Sequence, residues 1–227
     1  MTPQRRSRAH RWTTAVAIGL SASGLSGCAT GLKELPYHPQ QERLERTLVS
    51  VLPVTQHPDL HYWPRVCEPG KASVGLAVLP QRHIYLATSL IDQADDAVLT
   101  ALIAHGVAHH QLHHAGQRTA VSWLEQAAFK AGGFFVPGLS YGYYIGGPIT
   151  EVVLNAGQES QADAQTVAYL TRMGRSSQDL LRALEFLVAH GYSERVGRII
   201  LHKEDFTNRI ADLQRRPPAE SHPDSTD

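Results

Sequence analysis

Helical periodicity and one predicted hairpin place this chain in the mainly α (α+β) class. Apolar residues recur at three- and four-residue spacing over much of residues 94–213, which is the period of an amphipathic helix. Two short runs rich in valine, isoleucine and tyrosine occur at 75–79 and 83–87, with Pro80-Gln81-Arg82 between them. The sequence therefore predicts a helical domain that carries a small β-hairpin or sheet.

Residues 1–27 predict an export signal. Four arginines and no acidic residue precede position 12. The mostly apolar stretch that follows, 12–25, is shorter than the roughly 20 residues that span a bilayer, so it indicates the apolar region of a signal peptide. It ends in Leu25-Ser26-Gly27-Cys28, which resembles the lipobox of bacterial lipoproteins. The alternative is an ordinary cleaved signal that a cysteine follows by chance.

The lipobox resemblance implies that Cys28 is lipidated and becomes the first residue of the mature protein. Because Ala29 is not an aspartate, it further implies an outer-membrane lipoprotein facing the periplasm. Lipoproteins carry several acyl chains, which is enough for stable anchoring. Cys67 is then the one remaining cysteine, so no internal disulfide forms, and we expect its side chain to be buried.

The mature chain, 28–227, is long enough for one domain with a hydrophobic core. It holds 17 basic and 21 acidic residues, and this mildly acidic balance argues against nucleic acid as a partner. No later segment reaches transmembrane length. We therefore expect the lipid on Cys28 to be the membrane anchor.

The remaining elements follow in chain order. Residues 28–45 are predicted to be the lipidated cysteine and a tether, the domain to cover 46–215, and the tail at 216–227 to be disordered. Within the domain we predict helices over 94–114, 119–131, 149–173, 177–190 and 194–213, with Gly116 as the C-terminal cap of the first. Residues 132–148 combine six glycines, two prolines and five aromatics, which predicts either an irregular loop with buried aromatics or a cleft wall or lipid-touching loop.

The helix at 94–114 carries the histidines that point to chemistry. His105 and His109 are four residues apart, a spacing that places both imidazoles on one helix face within reach of one metal ion. Alone the pair is weak evidence, because a chain with 13 histidines can show this spacing by chance.

A pair of carboxylates on a later helix strengthens the metal hypothesis. Glu159 is placed to supply a third ligand, and Asp163, one turn on, to hold a ligand histidine by its other ring nitrogen. The alternative is two acids on a solvated surface.

The ordered set of motifs over residues 50–215 resembles the gluzincin metallopeptidases of the HtpX and CaaX-prenyl-protease type, in particular their bacterial lipoprotein members. His105 and His109 match the histidines of HExxH, and Glu159 and Asp163 match ExxxD. The further matches are Ala77–Leu90, His114, Arg118, Met173-Gly174, Asp179–Leu187, His202 and Arg209-Ile210. The resemblance implies a zincin-like fold and one zinc ion held by His105, His109 and Glu159.

One position departs from the family motif. The glutamate of HExxH, the general base that takes a proton from metal-bound water, is replaced by Gly106. Such a base is typically worth about 10²–10⁴ in rate. His110 lies one turn past Gly106 and His113 one turn past His109; both are read as polar residues on an exposed face, although either could serve as a replacement base or bind a second metal.

Three functional hypotheses follow. The resemblance implies a zinc metalloendopeptidase that acts on envelope proteins or peptides, with His83–Ala87 as the strand edge that captures an extended substrate. Gly106 favours a pseudopeptidase that binds zinc and acts as an assembly factor or peptide-binding module. The third is a structural or metal-buffering lipoprotein without a peptide site.

Overall fold

A computed structural model describes residues 32–69, 73–120, 157–201 and 203–215. The predictions for the signal peptide, for Cys28, for segment 132–148 and for the tail at 216–227 lie outside these residues. So does His202.

Six strands form one mixed sheet. In chain order they are β1 (Lys33–Glu34), β2 (Trp63–Glu68), β3 (Val74–Leu79), β4 (His83–Ala87), β5 (Ser193–Val196) and β6 (Ile199–Leu201). Their order across the sheet is β1-β2-β4-β3-β5-β6, with β2–β4 and β3–β5 parallel and the other pairs antiparallel. The predicted hairpin is confirmed: it joins β3 to β4 through a turn in which Gln81 and Arg82 adopt φ of 64° and 65°.

The predicted role of β4 as a free edge is wrong. β4 lies inside the sheet, between β2 and β3, so its backbone groups are already paired. Four of its five residues are buried, and such continuous apolar runs are typical of interior strands rather than edges. Among the described residues the edge strands are β1 and β6.

Seven helices accompany the sheet in the part of the chain that is described. They are α1 (Gln41–Val51), α2 (Thr88–Gln93), α3 (Asp96–Gln111), α4 (described over 114–120), α5 (described over 157–172), α6 (Ser177–Ala189) and α7 (Lys203–Arg215), with a 3-10 turn at Leu52–Val54. The mainly α, α+β class is thereby confirmed. A search of the described helices for a long, apolar, membrane-crossing segment finds none.

Helix α3 is the central element of the core. It packs against the helices α1 and α6 and against the strands β3 and β4. Nearly every residue from Val98 to His109 is buried, so the helix is enclosed on all sides rather than amphipathic. Any polar group on α3 must therefore find its partners inside the protein.

Asp95 caps the N-terminus of α3. Its side chain accepts a hydrogen bond from the Val98 backbone N–H at 2.9 Å. This bond, together with Arg182, lowers the pKa of Asp95 below its usual value. The acidic start of this helix was predicted from the sequence, and Asp95 is the residue that performs the capping.

Replacing the cap is expected to destabilise the protein measurably. D95A should lower the free energy of unfolding by about 1 kcal/mol in urea titrations at pH 7, whereas D95N should cost less because asparagine also caps. The folded-state pKa is lowered, so the stabilisation is present above the unfolded pKa and disappears as the pH falls through the folded pKa. Equal losses for D95A and D95N, or a loss that persists under strongly acidic conditions, would contradict this role.

Two helix predictions are wrong. Helix α3 ends at Gln111, and the break falls at His113, which adopts φ of 61°, while Gly116 lies inside α4. The helix predicted over 194–213 is instead the β5–β6 pair followed by α7. Strands of three or four residues are too short to show a period that distinguishes them from a helix.

The ordered structure begins earlier than residue 46. Strand β1 pairs with β2, and α1 buries Leu44, Leu48 and Val51 in the core. Part of the predicted tether therefore belongs to the fold. Cys67 is buried on β2, as predicted.

Candidate metal centre

The two histidines of α3 converge at one point. His105 and His109 are fully buried, their rings are nearly perpendicular, and their Nε2 atoms lie 3.0 Å apart. A pair at i, i+4 on one helix face brings the rings together. Because both rings are buried, the side chains packed around them fix the direction in which the two Nε2 atoms point.

Glu159 of α5 joins this pair. Its Oε2 lies 3.5 Å from the Nε2 of His105 and 3.5 Å from that of His109. Its other oxygen, Oε1, accepts a hydrogen bond of 2.6 Å from Arg118 of α4. The three residues predicted as metal ligands are thus brought together in a buried site.

A fourth group, Glu194 of β5, was not predicted. Its Oε1 lies 3.1 Å from the Nε2 of His105 and 3.9 Å from that of His109, and its side chain is fully buried. The sequence around it was interpreted as a helix. Glu194 reaches the cluster because β5 pairs in parallel with β3, which brings segments distant in sequence side by side.

The ring of His109 is oriented by a chain of hydrogen bonds. His114 Nε2 lies 3.2 Å from Gln161 Oε1, which can only accept, so this nitrogen is the donor. The Nδ1 of neutral His114 is then an acceptor, and His109 Nδ1 donates to it over 3.1 Å. His109 therefore presents the lone pair of Nε2 to the cluster.

The ring of His105 is oriented in the same sense. Thr166 Oγ1 donates to the Ala162 carbonyl over 2.6 Å, so it accepts from His105 Nδ1, which lies 3.3 Å away. In its neutral form His105 then also presents the lone pair of Nε2 to the cluster, where the Arg209 guanidinium lies 3.0 Å from it. Two lone pairs 3.0 Å apart repel unless a proton or a cation lies between them.

Arg209 of α7 holds the acids around this cluster. It donates to both oxygens of Asp163, at 2.7 and 2.9 Å, and to Glu194 Oε2 at 3.0 Å. Its guanidinium also lies 2.9 Å from Glu159 Oε2 and 3.0 Å from His105 Nε2. Asp163 was expected to hold a ligand histidine; it lies 3.5 Å from His105 Nδ1, but its hydrogen bonds go to Arg209.

Charge in the site follows from burial and from these contacts. Burial alone would raise the pKa of Glu194, but His105 and Arg209 lower it to about 2. Burial likewise opposes the charge on Glu159, yet His109 and Arg209 hold its pKa well below the usual value. Burial would lower the pKa of His105, but Glu194 raises it to about 9. Two buried ionised carboxylates thus face the imidazoles, and without a metal the site holds a proton there.

The donor set fits a zinc ion. One atom from each of His105, His109, Glu159 and Glu194 can be chosen so that all four lie within 4.8 Å of one another. Glu159 Oε2 and Glu194 Oε1 are buried and make no well-aligned hydrogen bond; both face the imidazoles, and Glu159 Oε2 also lies 2.9 Å from Arg209. Imidazole nitrogens and carboxylate oxygens are zinc ligands, so one ion would satisfy all four groups.

Gly106 packs closely against a neighbouring side chain. A Cβ at Gly106 would lie 3.1–3.4 Å from three carbon atoms of Ile84, a fully buried residue of β4. His110 does not replace the base, since its Nε2 contacts the His83 carbonyl at 3.2 Å. It is also largely buried, with its pKa lowered by burial to about 4, so the prediction of an exposed face holds only for His113.

Comparison with known proteins places the chain in a family. No curated protein gives a significant match. The model of peptidase family M48 matches residues 39–227, which is most of the chain and includes every residue of the cluster. M48 peptidases use zinc, and the buried cluster can hold one such ion. The chain belongs to peptidase family M48.

Proposed function

We propose that this M48 protein binds one zinc ion and has lost most peptide hydrolysis, so that it acts as a zinc-containing pseudopeptidase. The carrying observation is Gly106: the HExxH position that should provide a carboxylate has no side chain, and Ile84 fills the adjacent space. The metal ligands are His105, His109 and Glu159, with Glu194 beside them.

The chemistry explains why binding and hydrolysis separate. Bound zinc lowers the pKa of a coordinated water to about 7 and polarises a carbonyl. His105, His109 and Glu159 supply electron pairs to the ion and need no general base for this task. Proton transfer from the attacking water does need one, and its loss lowers the rate by about 10²–10⁴.

Slow metalloendopeptidase activity is the second candidate function, favoured by membership of family M48. Because the described ligand set includes both histidines and Glu159, a low rate without the base is chemically possible. The two candidates share the ion and differ in turnover.

Metal content and proteolysis together distinguish the two candidates. We expect the full-length protein, purified in detergent, to contain one zinc per chain and to cleave casein at background rates with or without chelator. H105A/H109A should contain no zinc and serves as the control. Chelator-sensitive cleavage that is absent from H105A/H109A would reject the pseudopeptidase and support the endopeptidase.

The cellular setting of the proposal rests on the sequence. The HtpX and CaaX-prenyl-protease likeness and the lipobox at 25–28 support an outer-membrane lipoprotein whose clients are envelope proteins or peptides. Client capture by strand addition requires a free strand edge, and β6, which pairs with the strand that carries Glu194, is the edge nearest the cluster.

The anchor is testable independently of the metal. C28S is expected to abolish incorporation of a labelled fatty acid and to release the protein from the membrane fraction, because the lipid is the proposed attachment. C67S, which changes the buried cysteine, is the matched control and should keep both properties. Membrane association that survives C28S would contradict lipidation as the anchor.

A further inference from the structure

We infer that Glu194 is a fourth protein ligand, so that two histidines and two glutamates close this metal centre and leave no coordination position for water or substrate. The inference rests on the proposed zinc binding and deepens it. It changes the expected role of the ion from a catalytic to a structural one.

The two glutamates are held in the same way. Each has one oxygen fixed by an arginine: Arg118 binds Glu159 Oε1 at 2.6 Å, and Arg209 binds Glu194 Oε2 at 3.0 Å. The other oxygen of each is buried, makes no well-aligned hydrogen bond and faces the paired Nε2 atoms, although Glu159 Oε2 also lies 2.9 Å from Arg209. The geometry that favours Glu159 as a ligand therefore favours Glu194 as well.

Five of the six separations between the donor atoms are close to those expected around one tetrahedral ion. Bonds of about 2.0–2.1 Å in a tetrahedron place the ligand atoms about 3.3 Å apart. The two Nε2 atoms are 3.0 Å apart, Glu159 Oε2 is 3.5 Å from each, and Glu194 Oε1 is 3.1 and 3.9 Å from them. Glu194 thus lies at a ligand's distance, where a catalytic site would keep its water.

Burial and charge agree with a closed site. The four side chains are between 0 and 3% exposed. Structural zinc sites have four protein ligands, whereas catalytic ones have three and an open position. Two carboxylates also neutralise a divalent ion inside the protein, while Arg209 remains paired with Asp163.

Two other roles for Glu194 are alternatives. A relocated general base would lie beyond a metal-bound water, yet Glu194 Oε1 is 3.1 Å from His105 Nε2, which is about the separation of two ligands of one ion. As a mere partner of Arg209, Glu194 would need only Oε2, which leaves unexplained why the buried Oε1 faces the imidazoles. Both alternatives predict an open fourth position on the ion.

Cobalt spectroscopy of the full-length protein tests this inference. In the Co²⁺-loaded wild type we expect the intense visible bands of a four-coordinate ion, unchanged by added azide, because no position is open. E194Q should lose affinity for Co²⁺ and Zn²⁺ by more than about 100-fold in chelator competition, since residues outside the ligand set cost only about 10–100-fold. Its spectrum should also change with azide.

D163N is the matched control, because Asp163 is a buried acid that holds the same arginine but offers no ligand atom to the cluster. It should keep the azide-insensitive spectrum. Azide binding by the wild type would overturn the closed site and leave zinc binding intact, and this measurement does not depend on any variant folding. Matching behaviour of E194Q and D163N would have the same meaning. A wild type that binds neither metal would instead overturn the proposed function itself.

Discussion

Replacing Arg209 with methionine is expected to make the stability of this protein depend on bound metal. The guanidinium contacts three buried carboxylates, those of Asp163, Glu194 and Glu159, and its charge offsets part of theirs. Removing one partner from a buried ionic network typically costs about 3–5 kcal/mol, because the remaining charges are left without compensation. We expect R209M to lose this much free energy of unfolding in the presence of chelator.

Zinc should restore part of the lost stability. A divalent ion neutralises Glu159 and Glu194, so the difference between zinc-loaded and chelated protein should be larger in R209M than in the wild type. Urea unfolding of both proteins with zinc and with chelator measures this difference. R46M is the control: Arg46 pairs with Glu42 on an exposed face of α1, and its loss should change stability by no more than about 0.5 kcal/mol. An equal dependence on zinc in R209M and the wild type would show that Arg209 and the ion do not share these carboxylates.

The part of the site that is local in sequence could be predicted. His105 and His109 lie one turn apart on α3, which the sequence predicted to be a helix, and helix geometry alone brings their rings together. The β3–β4 hairpin is equally local, since three residues join its strands. Glu159 was proposed as the third ligand from a pair of carboxylates on a later helix, and the resemblance implied the same role.

The remaining features depend on contacts between distant segments. Glu194 reaches the cluster because β5 pairs in parallel with β3, and a four-residue strand carries no period that would reveal this. The interior position of β4 depends in the same way on its parallel pairing with β2. Ile84 faces Gly106 only because the sheet packs on α3, so the sequence showed a glycine at this position but not that Ile84 lies against it.

The filled space determines what is needed to restore hydrolysis. In G106E alone, the new Cβ would meet Ile84 at 3.1–3.4 Å, and a buried carboxylate would have to displace that side chain. We therefore expect G106E to be less stable than the wild type and no more active. I84A removes the obstructing branches, and E194A opens the fourth position on the ion. Only G106E/I84A/E194A combines a base, the space for it and a site for water.

The triple variant should cleave casein about 10²–10⁴ times faster than its counterpart G106Q/I84A/E194A, which has the same shape and the same open position but no proton acceptor. Melting temperatures and zinc content, measured for both, ensure that only folded, loaded proteins are compared. The stepwise variants separate the causes of inactivity. Activity already present in G106E/I84A would mean that Glu194 does not block the ion, and the closed centre would be rejected while the missing base is kept as the explanation. If the triple variant binds zinc but matches its glutamine counterpart, the lost carboxylate is not what limits hydrolysis, because base, space and water position have then all been supplied.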